Sequence, residues 1–148
     1  MKSLRIGLMF IPLFFGSIIY IIFRSERLLM FQWFEFLKLN YLIQQIRTYN
    51  ASYKLPYWFV YSFPDGLWIM SYLLILIEIW NRKINNQNIF WILIIPFIAI
   101  TSEAFQYVGI LRGTFDILDL ISYLLGTFIP FIIYKKLNLF IIKNHEKI

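Results

Sequence analysis

Apolar runs alternate with short polar stretches along this chain, and four of the runs, the first of them uncharged, have the length of a bilayer-crossing helix. The first, 6–23, would extend about 27 Å as a helix, close to the ~30 Å hydrocarbon core of a membrane. Lys2 and Arg5 precede it, as in a signal peptide. The exit reads Phe23-Arg24-Ser25-Glu26, with no small-residue cleavage site, so an uncleaved anchor is expected. The second run, 64–80, opens on Pro64-Asp65-Gly66. Pro lacks the amide a first turn would leave unpaired, and Asp offsets the free amides that remain. Glu78 and Arg82, four apart at its far end, read as a surface ion pair. After a polar turn at 81–88 comes the third run, 89–107, which continues through Pro96. A hairpin containing Gly109, Arg112 and Gly113 leads to the fourth, 115–134, which stops before Lys135 and Lys136. The tail, 137–148, reads as peripheral.

The stretch between the first two runs has a different pattern. Gln32, Glu35 and Lys38 recur at helical spacing, with Phe31, Phe34 and Leu42 set off from them. That arrangement predicts an amphipathic helix over about 25–50 lying at the membrane surface, followed by a loop ending at Pro56. The pattern therefore predicts an all-α integral membrane protein, a single domain over 1–148. It has about four transmembrane helices plus an amphipathic interfacial helix between the first and second.

Composition narrows the class further. Hydrophobic residues make up 60% of the chain, against roughly 45–50% in soluble domains. Trp58, Tyr61, Trp68, Trp80 and Trp91 fall near the predicted span ends, as an aromatic belt would. The net charge of +6 comes from residues flanking the apolar runs, which suits anionic lipid headgroups; no basic stripe points to nucleic acid. Without cysteine there is no disulfide framework, thiolate metal site or cysteine nucleophile. Basic residues on the side of the 81–88 turn favour both termini in the cytoplasm by a small margin.

Span parity brings the remaining polar residues together. The start of the second span, the end of the third and the start of the fourth meet at one membrane face. Asp65, Glu103, Gln106, Arg112, Asp116 and Asp119 are therefore candidate binding residues at that face, whichever way the protein is oriented. Glu103 is fourteen residues beyond Ile89 and Asp119 fifteen before Tyr134, about 21–22 Å along a helix, inside the slab near one edge. Ionisable groups there normally face a bundle interior, water or a partner. Pro96, Ala99, Glu103 and Gln106 share one face of their helix, as do Asp119, Ser122, Gly126 and Pro130, with Ser122 and Gly126 spaced to admit a neighbouring helix. Asp65 and Asp116 have a competing explanation as helix-start residues, Gln106 as an interhelical hydrogen-bonder and Arg112 as an interfacial anchor. Glu103 and Asp119 occupy no cap.

Ser102-Glu103-Ala104-Phe105-Gln106, followed by Arg112-Gly113-Thr114-Phe115-Asp116-Ile117-Leu118-Asp119 and then Gly126, resembles the signature of the VanZ-like family of integral membrane proteins. The resemblance covers about 60–130, with Pro64-Asp65-Gly66 similar to that family's acidic turn. Tyr123 stands where the family has Asn. The resemblance implies a multi-pass protein of the bacterial cell (inner) membrane, associated with the cell envelope and with glycopeptide tolerance. It fixes neither a reaction nor a cofactor.

Three functions fit these residues. In the first, the polar cluster binds an envelope lipid, a cell-wall precursor or another membrane protein; Arg112 suits a phosphate or carboxylate, and the acids suit an amine or hard cation. The second is a membrane-embedded enzyme acting on a lipid-linked or cell-wall substrate, with Glu103 as candidate acid or base and Asp116 and Asp119 as orienting groups or metal ligands. No nucleophile motif supports it, and no metal site is assigned. The third is a subunit of an ion-coupled transporter.

Overall fold

A computed structural model describes residues 7–50 and 52–145, with side chains as far as Lys135. Among the described residues all regular structure is helical: α1 (Ile11–Phe23), α2 (Leu29–Phe36), α3 (Asn40–Asn50), α4 (Tyr57–Tyr61), α5 (Phe63–Ile79), α6 (Ile89–Tyr107) and α7 (Ile117–His145). Three helices are long and apolar enough to cross a membrane: Tyr57–Ile79, which joins α4 to α5, then Ile89–Tyr107, and Ile117–Lys135 within α7. The apolar helix Gly7–Phe23 is shorter. At about 1.5 Å per residue it lies at the lower edge of spanning length.

Helix α5 is the central one. Of its apolar window 44% is buried, against 17% for each of the other two spans. Ile69, Leu73 and Ile77 of α5 pack with Ile92 of α6, and Tyr72, Ala99, Tyr123 and Phe131 surround them. Outside this core, Phe90, Trp91, Phe97, Leu125 and Phe128 stand exposed. In water such a surface would be unfavourable, whereas in hydrocarbon it costs nothing.

Close approach by small residues sets the packing of α5 on α7. A Cβ on Gly126 would run into the Gly66 carbonyl, and one on Gly66 into Ser122. The Ser122 hydroxyl donates across this contact to the Ser62 carbonyl (2.7 Å). On the other side of α5, a Cβ on Gly16 of α1 would come within 2.8 Å of Trp68 Nε1. The Ser71 hydroxyl donates to the Met9 carbonyl (2.7 Å), so α1 runs antiparallel to α5.

Several expectations change. The segment expected as one interfacial helix is two, because Lys38 takes a positive φ of 58° and the Leu39 amide bonds back to the Phe34 carbonyl (2.8 Å). That is a left-handed helix stop built without glycine. The second span starts earlier than 64: α4 runs into α5 with a break at Ser62, where Pro64 has no amide for the Val60 carbonyl. Its Glu78–Arg82 pair (2.8 Å) is buried rather than superficial, with Glu78 only 5% exposed. The last span starts at Ile117 rather than 115 and ends at Lys135, close to the expected Tyr134, while its helix runs on to His145. Trp68 is not a belt residue, since it packs on Tyr20 with ring centroids 5.0 Å apart.

Candidate functional site

The C-terminal end of α1, the α4–α5 break, the end of α6 and the start of α7 meet at one end of the bundle, and each brings a polar group there. Asp116 precedes α7 and caps it: its Oδ1 accepts the Leu118 amide (2.8 Å). The Asp116 amide in turn donates to Glu103 Oε2 (3.2 Å), which ties the end of α6 to the start of α7. Glu103 is 4% exposed, and it meets the positive end of the α7 dipole, where a carboxylate is favoured. One turn on, Asp119 Oδ1 is buried without a hydrogen-bond partner. Beside it lies Ser62 Oγ, from the α4–α5 break, which also lacks a partner. The two face each other without meeting hydrogen-bond geometry.

Asp65 sits three residues past that break, in the first turn of α5, and makes no hydrogen bond or ion pair among the described residues. Asp119 and Glu103 are both within electrostatic reach of it. The nearby cation is Arg24, at the end of α1, which acts on both Asp65 and Asp119. Its guanidinium lies over two aromatic faces, 4.7 Å from the Tyr20 centroid and 4.6 Å from that of Tyr61. It also donates to the Tyr20 hydroxyl (3.3 Å). Tyr123 on α7 is within reach of Asp65, Asp119, Glu103 and Arg24.

Arg24 is itself held in place. From α3, Arg47 donates to the carbonyls of Ile21 (2.5 Å) and Arg24 (2.8 Å), two acceptors that the end of α1 leaves free. It also pairs with Glu26 (3.2 Å) and lies 5.0 Å over the Phe31 ring. Helix α3 is thus fastened to the residue that supplies positive charge to the cluster.

Of the six residues singled out in the sequence, Asp65, Glu103, Asp116 and Asp119 come together. Gln106 packs on the hairpin instead, where a Cβ on Gly113 would come within 2.8 Å of its carboxamide; Gly113 has a φ of 147°. Arg112 is exposed on the same hairpin, with no ion pair among the described residues. Arg24, Ser62 and Tyr123 join the cluster without having been anticipated as binding residues. Among the described residues no three His, Cys, Asp or Glu side chains are arranged to hold a metal ion.

Chemically, this is an acidic centre in a poorly hydrated setting. Its carboxylates outnumber the one guanidinium beside them, which is stacked on rings rather than paired to an acid. Such a centre attracts protons, amines or other cations, and it repels anions unless Arg24 turns toward them. Comparisons with family models, with curated proteins and with solved structures gave no match.

Proposed function

We propose that the chain is a four-span protein of the bacterial cell membrane that binds an envelope lipid or cell-wall precursor at the Asp65–Glu103–Asp119 cluster. One observation carries this reading. Carboxylates from three helices converge at one end of the bundle, and Asp119 and Ser62 keep buried polar atoms outside hydrogen-bond geometry. Ser62 and Asp119 can satisfy each other through a small side-chain rotation. Asp65, however, makes no hydrogen bond or ion pair among the described residues, and the acids outnumber Arg24; a bound cation offsets that excess. The first apolar helix, which packs along α5 from Met9 to Arg24, supplies the fourth crossing.

The resemblance to VanZ-like proteins supports the same reading and gives it a physiological setting, glycopeptide tolerance. Of the alternatives, the enzyme lacks a nucleophile beside Glu103. The transporter needs a polar route to the opposite face, where Glu78 is engaged by Arg82 (2.8 Å). In cells made tolerant to teicoplanin by the wild-type chain, Glu103→Gln and Asp119→Asn variants of equal abundance should lose that tolerance. Full tolerance in both variants would contradict the proposal.

A further inference from the structure

The chemistry around Arg24 narrows the ligand class. Two tyrosine faces at 4.7 and 4.6 Å from a guanidinium carbon make an aromatic box for a cation. Asp65 and Asp119 are within electrostatic reach of Arg24, and Glu103 and Tyr123 are within reach of those acids. A guanidinium placed only to neutralise these acids would be expected within salt-bridge distance of one. Among the described residues Arg24 forms no such pair; its contacts are the two rings and the Tyr20 hydroxyl. The Ser62 hydroxyl, 2% exposed and outside hydrogen-bond geometry, lies beside Asp119.

Rings and carboxylates together suit an organic ammonium better than a metal ion. Aromatic faces add attraction for a weakly hydrated cation. A hard metal would need several oxygens in one coordination shell, which the described residues do not assemble. Arg24 is half-buried at the end of a long flexible stem. It can leave the box without disturbing the backbone that Arg47 fixes.

We infer that the site takes an ammonium group carried on a lipid or precursor, and that Arg24 is the chain's own occupant of the aromatic box the ammonium would enter. This rests on the cluster being a binding site, and it adds what is bound and what competes with it. Arg24 thereby sets the threshold for binding. An incoming ammonium must displace a guanidinium from two rings, so Arg24 weakens binding while the rings and the acids supply the selectivity for positive charge.

The test uses the full chain in phosphatidylglycerol nanodiscs, where the bilayer contributes no amine. Native mass spectrometry compares retention of phosphatidylethanolamine with its N-acetylated form, which keeps the phosphate and loses the positive charge. Wild type should prefer the amine. In Arg24→Gln, with the internal competitor removed, the preference should rise about fivefold to thirtyfold, the range for one cation–ring contact between its exposed and desolvated limits. Tyr61→Leu, which keeps Arg24 and removes one wall of the box, should lower it. Free ethanolamine at millimolar concentration serves as a competitor. Displacement of the lipid assigns recognition to the ammonium alone, and no displacement assigns it to the lipid-borne group; either supports the inference. Equal retention of both lipids by wild type and Arg24→Gln, still abolished by Asp119→Asn, would overturn the ammonium assignment and leave the binding site standing. Retention indifferent to Asp119 and Glu103 would overturn both.

Discussion

Glu103 Oε2 accepts the Asp116 amide, so removing that oxygen strands a buried donor. Glu103→Ala should therefore destabilise the protein by about 1–3 kcal/mol, whereas Glu103→Gln keeps a carbonyl acceptor and should stay within about 1 kcal/mol of wild type. Thermal unfolding in detergent measures both, and equal losses would show that the amide contact contributes nothing. At this scale the sequence was informative where a residue's role follows from its position. Asp116 stands just before a helix and caps it. Glu103 and Asp119 were noticeable because neither was expected at a helix start, but α7 begins at Ile117 and so places Asp119 in its first turn, where the dipole favours an acid. Side-chain direction was not legible. Arg112 has the right chemistry in the right hairpin but is exposed. Arg24, at the far end of a different apolar run, reaches the acids because Tyr20 and Tyr61 hold it. The Tyr20–Arg24 half of that contact has the i,i+4 spacing of one helix face, but no local spacing encodes the Tyr61 half, which comes from α4.

Between elements, backbone proximity governs. Gly66, Ser122 and Gly126 let α5 and α7 touch, and that contact places Asp65 and Asp119 in one cluster. Gly126→Leu should force the helices apart at a cost of about 1–3 kcal/mol or more, because overpacking against backbone cannot relax through a rotamer. Leu125→Ala, one residue away on the exposed surface, should change little. Size-exclusion profiles and thermal unfolding in detergent would check the contrast, and similar behaviour of the two variants would contradict it. The Ser122–Gly126 spacing was readable from the sequence, although its partner was not. Helix ends divide in the same way. Gly109 and Asn81 take positive φ angles of 76° and 54° where α6 and α5 stop, as residues of their type do. Lys38 takes 58° at the end of α2, against its own preference, so the break in the interfacial segment was hidden. Arg47 compensates by fastening α3 to the end of α1.

For the molecule as a whole, the net charge and the local charge have opposite signs. The chain carries +6, yet its interior polar cluster is acidic, with one guanidinium beside several carboxylates. Hydropathy revealed the apolar runs and their approximate limits because length and the lack of charge are properties of a single segment. The sign of the site depends on which segments meet, which composition does not record. A low-dielectric interior does not tolerate uncompensated acids without cost, and this is the physical reason to regard the cluster as built for a cationic partner. The most direct measurement is native mass spectrometry of the protein released from membranes containing a total envelope lipid extract, with wild type, Glu103→Gln and Asp119→Asn compared at equal folded fraction. The account predicts a retained, amine-bearing species on wild type that is lost from both variants. The same bound species at the same occupancy on all three proteins would contradict it.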